Sequence, residues 1–273
     1  MVGMDPSLPP RPDQTEPPAS VADDWSQPIP RRRGHRAIAV VVALALVSSS
    51  LFAGAAFFLR DAFRPSGAPS EHHFLMRMTQ YGTPLRWNPC DPIHYVVNPG
   101  QALPGSVADV HEAVARVSAA TGIAFAYDGL TDEEPTQRRD PYLPERYPGR
   151  WAPVLVAWVD PDASDVSFED DEHVAAGVAR PLTPPTGEEL IVSGWIAVNE
   201  EDPNPPGFSS PGAQGPTILH EWGHILGLGH FDAAGQLMEP SGGHMTDFGP
   251  GDLAGLEELG RSSGCLPVPS PQG

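Results

Sequence analysis

The sequence contains no lysine, and positive charge is scarce throughout. Its 16 basic residues are all arginine and stand against 35 acidic residues, so the 273-residue chain has a formal charge of −19. A surface this rich in carboxylates repels phosphate backbones, so we expect no nucleic-acid partner. Some of these carboxylates are suited to hard cations such as Ca²⁺, although a merely soluble acidic surface explains them equally well.

The first 30 residues lack apolar periodicity and contain eight prolines. Such a segment buries too little apolar surface to offset the entropy lost on ordering. We therefore predict that residues 1–36 form a disordered tail, which ends in the arginine cluster "RRRGHR".

Residues 37–59 carry no charged side chain, and this run of 23 residues directly follows the arginine cluster. Its length and flanking charge predict a transmembrane helix, with the tail inside the cell and the rest of the chain exported. The expected location is the cell membrane, with a single span. A cleaved signal peptide is the alternative, because residues 53–55, "AGA", resemble a cleavage site. Residues 60–86 are predicted to be a stalk or linker.

Cysteine is nearly absent, and both cysteines lie in the part predicted to be exported. Thiols tend to oxidise outside the cytoplasm, so we predict a disulfide between Cys90 and Cys265. The bridge would tie the start of the folded domain to its end. Two unpaired buried thiols are the alternative.

From about residue 87 onward, strand-like and helix-like patterns alternate, which predicts a mixed α/β (α+β) fold with a partly parallel sheet. A helix is expected from Ser106 to a stop at Gly122, with Ser106 and Asp109 as a capping box and a valine stripe on one face. The predicted strands are residues 93–97, 123–127, 154–159, 175–179 and 190–198.

The stretch "TILHEWGHILGLGHF" places ionisable residues on a helix predicted to start near Gly215 and to end at Gly227. His220 and His224 are four residues apart, so their imidazoles project from one face and can bind one metal ion. Glu221 lies beside them and can act on a water at that ion. A chain reversal at Gly227 could bring in His230 as a third ligand.

Three histidines with one open position are typical of a catalytic zinc site rather than a closed structural one. The alternative is a helix with hydrogen-bonded core histidines, which would require a partner for each of three imidazoles and a carboxylate. A single metal ion meets most of that requirement.

The spacing H-E-x-x-H-x-x-G-x-x-H, together with "QLMEP", whose Met238 lies eight residues after His230, resembles the metzincin zinc peptidases, and among them the matrixins. The resemblance implies a twisted, mostly parallel five-stranded sheet with an active-site helix and a C-terminal helix, here "GDLAGLEELG" with a stripe of three leucines. It implies a peptidase domain over residues 87–266, followed by a tail at 267–273. Met238 would form the apolar floor beneath the zinc.

The same resemblance implies that Gly177, Val178 and Ala179 lie on an edge strand that pairs with a bound peptide, with residues 240–245 as the opposite wall. Val178 and Trp195 occupy positions where vertebrate matrixins place histidines for a second zinc, so we expect one zinc only. Residues 199–202, "NEED", resemble a calcium segment, although solvated acidic residues explain them better.

These features predict a zinc endopeptidase that hydrolyses peptide or protein substrates. Glu221 would act as general base toward a zinc-activated water and then as acid toward the leaving amine. Two alternatives stay open. One is a membrane-tethered binding module that has lost its chemistry, against which the retained Glu221 argues. The other is a zinc hydrolase of a non-peptide bond, such as a cell-wall amide.

Overall fold

The computed structural model describes residue 79 and residues 81–100, 102–168, 175–183, 188–202, 204–240 and 245–272. The predicted tail, the predicted transmembrane segment at 37–59 and most of the predicted stalk lie outside these residues. Within the described part of the chain, no helix is both long and apolar enough to cross a membrane.

Five strands form one sheet in the order β2-β1-β3-β5-β4. All neighbouring pairs are parallel except β4 and β5, which are antiparallel, and β4 lies at an edge of the sheet. The predicted mostly parallel, five-stranded α/β sheet is therefore confirmed. The strands are β1 (Ile93–Asn98), β2 (Phe125–Leu130), β3 (Val154–Val159), β4 (Ala175–Leu182) and β5 (Leu190–Asn199).

Three α-helices accompany the sheet in the described residues: α1 (Ser106–Thr121), α2 (Gln214–Leu226) and α3 (Pro250–Leu259). A short 3₁₀ turn follows at Arg261–Ser263. Helix α1 is the crossover between the parallel neighbours β1 and β2. Helix α2, which carries the H-E-x-x-H motif, packs against α1 and also against β4 and β5.

Both faces of the central strands are covered, so β3 is a continuous apolar run rather than an alternating one. Val154, Val156 and Trp158 face the helices, and the residues between them face an outer layer. Part of that layer is the long connection from β2 to β3, which contributes Tyr147.

The connection between β2 and β3 is anchored by a buried ion pair. Arg139 donates to both carboxylate oxygens of Glu133, at 2.6 and 3.2 Å. It also donates to Ser193 Oγ and to the carbonyl of Gly194, both at 3.0 Å. The Tyr147 hydroxyl donates to Glu133, and burial together with that carboxylate raises the pKa of Tyr147 to about 12. This loop is thus tied to β5.

The predicted capping box at the start of α1 is wrong. The residue before the helix is Gly105, at φ 107°, and no side chain caps it. Ser106 Oγ instead donates to Gln214 Oε1 at 2.8 Å, and Asp109 accepts from the amide of Gly207 at 2.7 Å. Burial raises the pKa of Asp109. Both side chains therefore bind the segment that leads into α2 and the first residue of that helix.

Two element predictions need correction. Strand β2 begins at Phe125 rather than at residue 123, because Ile123 is fully buried in the turn after α1 instead of pairing in the sheet. In α3, Leu256 and Leu259 are buried as expected, but Leu253 is 45% exposed. The buried face of α3 includes Asp252 in place of Leu253.

A disulfide joins Cys90 to Cys265, the predicted pair, with 5.4 Å between their Cα atoms. Arg86 donates to the carbonyls of Ser263 and Gly264 at 3.0 Å beside this bridge. Leu85 and Trp87, next to this region, both lie in the core.

Candidate metal centre

Helix α2 has one fully apolar face and one face with the motif residues. The apolar face includes Ile218, Leu219 and Trp222, none of which is exposed to solvent. The helix ends at Gly227, whose backbone lies at φ 111°, a left-handed conformation that side chains disfavour. His220, Glu221 and His224 therefore stand on a helix held by packing on its opposite side.

The turn after Gly227 brings His230 to the two helix histidines. The amide of Leu228 donates to the carbonyl of Gly223 at 2.9 Å, which closes the turn. The Nε2 atoms of His220, His224 and His230 are then 3.1 Å apart in each of the three pairs. All three predicted ligands thus meet at one point.

The hydrogen bonds on the far side of two rings fix their tautomers. His220 Nδ1 lies 2.7 Å from the carbonyl of Leu237, and His224 Nδ1 lies 2.8 Å from the carbonyl of Leu228. A carbonyl only accepts, so each Nδ1 carries the proton and each Nε2 presents a lone pair. Two lone pairs that face each other at 3.1 Å repel unless a cation lies between them.

The electrostatics keep His224 neutral. Desolvation by burial, helped by the neighbouring His220 and His230, lowers the pKa of His224 to about 3. The hydrogen bond to Leu228 opposes this shift and does not overcome it. A neutral imidazole with a free Nε2 lone pair is the form that binds a metal ion.

The triangle of nitrogens has the size that zinc requires. With sides of 3.1 Å, its centre lies about 1.8 Å from each nitrogen, close to the usual Zn–N bond of about 2.0–2.1 Å. Among the described residues, these histidines are the one group of three or more possible ligands in mutual reach. Three protein ligands leave a fourth tetrahedral position open.

Met238, which the resemblance places as a floor beneath the zinc, contacts α2 at Gly223. It is fully buried, and a Cβ atom at Gly223 would lie 2.5 Å from its sulfur, so the methionine side chain packs directly against the helix at this glycine. Its carbonyl accepts from the amide of Phe231, next to His230, at 2.9 Å. The preceding residue, Leu237, supplies the carbonyl that holds His220.

Asp252 supports this turn and was not singled out from the sequence. It is fully buried in the first turn of α3, and its Oδ2 accepts from the amides of Leu237 at 2.6 Å and Gly249 at 2.8 Å. Burial raises its pKa, partly opposed by these bonds. The sequence shows an aspartate two residues after Pro250, at a predicted helix start. It does not show that this aspartate bonds to Leu237.

Glu221 packs against the edge strand. It is 6% exposed, and a Cβ atom at Gly177 would lie 2.8 Å from both its carbonyl oxygen and its Oε2 atom. Gly177 is therefore in direct contact with Glu221, the predicted general base. Ala179 packs on the helix side of the sheet, whereas Val178 packs on the outer side, where it is paired with Trp195.

The segment 199–202 is less solvated than expected. Asp202 is 4% exposed, accepts from the amide of Asn204, and has its pKa raised by burial, whereas Glu201 is exposed. The interpretation as solvated acids is therefore wrong for Asp202.

An open cavity of about 840 Å³ lies elsewhere, at the ends of β1 and β2. Two of its lining arginines are already paired, Arg146 with Asp132 and Arg150 with Asp128, both at 2.6 Å. No histidine of the triad lines it. Side-chain chemistry therefore places the candidate site at the triad.

Neither a scan against models of protein families nor a search of curated proteins finds a match to this chain. The resemblance to metzincins rests on the motif residues, and the function has to follow from the geometry around them.

Proposed function

We propose that the protein is a zinc-dependent endopeptidase. The observation that carries the proposal is the convergence of three Nε2 atoms at 3.1 Å, with Glu221 on the same helix. His220, His224 and His230 would hold the ion. Zinc in such a site would act as a Lewis acid that lowers the pKa of a bound water and polarises the carbonyl oxygen of a substrate.

Glu221 is the residue that moves the proton. It lies beside His220 on α2 and packs on Gly177, so one carboxylate oxygen is held at the strand edge where a substrate would lie. In that place it can accept a proton from water and return it to the leaving amine. Binding of a metal ion by the three histidines does not by itself require a carboxylate at position 221.

The edge strand favours a peptide as substrate. Within the described residues, β4 pairs only with β5, so its other backbone edge can accept an extended chain. Gly177 in this strand contacts Glu221 on the helix side of the sheet, next to that edge. A peptide added to β4 would therefore pass the proposed base, which supports peptide hydrolysis over cleavage of another amide.

The test uses the full-length chain in detergent, because residues 37–59 are predicted to span a membrane. We expect about one zinc per chain and chelator-sensitive cleavage within a peptide library. Glu221→Gln should keep the zinc and lower turnover by at least roughly a hundredfold, since it removes the proton acceptor.

Three results would count against this proposal. A Glu221→Gln protein that cleaves at the wild-type rate would remove the role of Glu221. Stoichiometric zinc without any peptide cleavage would favour a binding module or a hydrolase of a non-peptide amide. Absence of bound zinc from the purified protein would contradict the metal centre itself.

A further inference from the structure

Proline is every second residue in the segment that follows Cys265. Residues 266–271 read "LPVPSP", so each of the three prolines follows a residue of another type. The proline ring fixes φ at about −65°, and a residue that precedes proline is pushed out of the helical region. We call residues 266–272 the terminal segment, and its first six residues are therefore confined to an extended or polyproline II backbone before any tertiary contact forms.

The structure of the terminal segment agrees with a polyproline II backbone. Among the described residues, no backbone–backbone hydrogen bond involves 265–272, and polyproline II is a conformation without internal hydrogen bonds. Leu266 and Pro269 are partly buried, whereas the two residues between them are exposed. This spacing matches the three residues per turn of the polyproline II helix, so one side of the segment faces the protein.

The terminal segment meets a pair of aromatic rings in the connection between β2 and β3. The indole Nε1 of Trp151 donates to the carbonyl of Pro269 at 3.0 Å. The Tyr142 ring lies edge-on to the Trp151 ring, with 6.1 Å between the ring centres and 74° between the planes. The amide of Ala152 donates to the carbonyl of Pro141 at 2.9 Å, which joins the neighbours of the two rings. Tyr142 and Trp151, the aromatic pair, are thus held together by the backbone.

The terminal segment is fixed firmly at its start and by little further on. Cys265 is in the disulfide with Cys90, and the amide of Leu266 donates to Asn88 Oδ1 at 3.0 Å. Beyond Leu266, the bond from Trp151 is the one hydrogen bond between this segment and the rest of the described chain. The segment can therefore leave the aromatic pair while its start stays attached to the fold.

The contact has the chemistry by which proteins recognise proline-rich chains. The carbonyls of a polyproline II segment have no internal partner, an indole N–H can only donate, and aromatic rings line the grooves that bind such segments. Residues 266–272 also carry no charged side chain, although the chain as a whole has a formal charge of −19. The aromatic pair therefore selects for an extended, uncharged backbone rather than for charge.

We propose that the aromatic pair is a binding site for uncharged proline-rich segments, which the terminal segment occupies until a proline-rich segment of another protein displaces it. Leu143 and Ala152, adjacent to the two rings in the sequence, pack in the outer layer of the sheet, on the face opposite the helices. The site is thus separate from the histidine triad, and the inference does not depend on the proposed peptidase activity.

The test uses the full-length chain in detergent and a dye-labelled peptide with the sequence of residues 266–272, with fluorescence anisotropy as the readout. A variant that ends at residue 266 should bind this peptide at least roughly tenfold more tightly than the wild type, because the wild-type segment competes at an effective concentration of roughly millimolar. A second variant, Pro267→Ala/Pro269→Ala/Pro271→Ala, keeps the length of the segment and should also bind the peptide more tightly than the wild type, since its segment loses the preformed backbone.

Substitutions in the truncated variant locate the site. Trp151→Phe keeps an aromatic ring and removes the N–H, so the affinity for the peptide should fall roughly three- to tenfold. Tyr142→Ala should also weaken binding, because it removes one ring of the pair. Tyr81→Ala is the matched control, since this tyrosine is 62% exposed, and it should leave the affinity unchanged. A peptide with alanine in place of its three prolines should bind at least roughly tenfold more weakly.

Several results would overturn the proposal. These are equal affinity of the wild type and both tail variants for the peptide, equal binding of the proline and alanine peptides, and unchanged affinity in truncated Trp151→Phe. Association of the wild type into dimers that the truncated variant does not form would show that the segment binds a second copy instead. Amide exchange in β3 checks the fold of each variant. The triple alanine variant leaves the outer layer intact, so it decides the question even where truncation disturbs the fold.

Discussion

At the scale of single residues, Gly177 shows how the absence of a side chain can serve a site. A Cβ atom there would lie 2.8 Å from the main chain of α2 and 2.8 Å from the Glu221 carboxylate. The backbone oxygen cannot move without shifting the helix, so a larger residue has to displace β4 or Glu221.

We therefore expect Gly177→Ala to lower kcat/KM by roughly ten- to a hundredfold while zinc content stays the same, because misplacement by a fraction of an ångström is costly in catalysis. Gly212→Ala is the matched control, since no atom of the described residues lies within 4 Å of its Cβ position. Steady-state assays of both variants would check this. Wild-type kinetics in Gly177→Ala would contradict the contact.

His224 predicts a dependence of stability on pH. Its pKa is lowered from 6.5 to about 3 in the folded state, so between these values the unfolded chain binds a proton that the folded chain does not. The metal-free protein should therefore lose stability as pH falls through this window, by at most about 1.4 kcal/mol per pH unit from this group. Zinc should be released in the same range, because protonation competes with the metal.

Urea unfolding of the chelator-treated protein at pH 7 and pH 5 measures the effect. His224→Gln, which does not titrate, should flatten the profile. An unfolding free energy that is the same at both pH values in the wild type would show that His224 is not buried as a neutral imidazole.

At the scale of elements, local signals in the sequence determined most of the fold. Strand β3 has the predicted bounds because both its faces are buried and its composition leaves no ambiguity. Helix α2 ends at Gly227 as predicted, since a glycine at this point permits the left-handed turn. The convergence of His220 and His224 follows from spacing alone, because i and i+4 share a helix face, whereas His230 joins them through the turn at Gly227.

Contacts between distant residues could not be predicted in this way. Ser106 and Asp109 match a capping box locally, but their partners lie 108 and 98 residues away, at Gln214 and Gly207. Tertiary hydrogen bonds thus override a local pattern. Asp252 was missed for the same reason, since its partner Leu237 lies in the turn before another loop.

The turn that ends α2 gives a prediction for the element as a whole. Gly227 has φ 111°, and a Cβ atom there would lie 2.7 Å from the carbonyl of Leu85. Gly227→Ala should therefore destabilise the fold by roughly 1–3 kcal/mol and weaken zinc binding, because the turn delivers His230.

Zinc affinity by chelator competition and unfolding in urea would measure both effects. Gly149→Ala is the control, since Gly149 also has a positive φ, of 76°, but its Cβ position has no neighbour within 4 Å in the part of the chain that the structure describes. Equal behaviour of the two variants would mean that backbone strain alone matters and that the contact with Leu85 does not.

At the scale of the whole molecule, the disulfide joins two ends of the described fold that are also held without it. Cys90 and Cys265 are 175 residues apart, and for so long a loop the chain-entropy model gives at most roughly 5 kcal/mol. Asn88 accepts from the amides of both Cys90 and Leu266, and Arg86 bonds to residues 263–264, so these ends stay together after reduction.

We expect Cys90→Ala/Cys265→Ala to fold with zinc bound and to lose roughly 2–5 kcal/mol of unfolding free energy. Urea titrations with and without reductant would measure the loss, and the double variant should no longer respond to reductant. If reductant makes the wild-type thiols reactive but leaves the free energy of unfolding unchanged, the disulfide does not stabilise the fold.

The apolar face of α2 has a consequence for how the proposed metal would be bound. Because Ile218, Leu219 and Trp222 are buried without help from an ion, and carbonyls already orient His220 and His224, the proposed ligands are assembled before any ion binds. Loading should then bury almost no new surface. Calorimetry of zinc uptake by the empty protein should accordingly register a heat-capacity change near zero, unlike small zinc domains that order themselves around their ion.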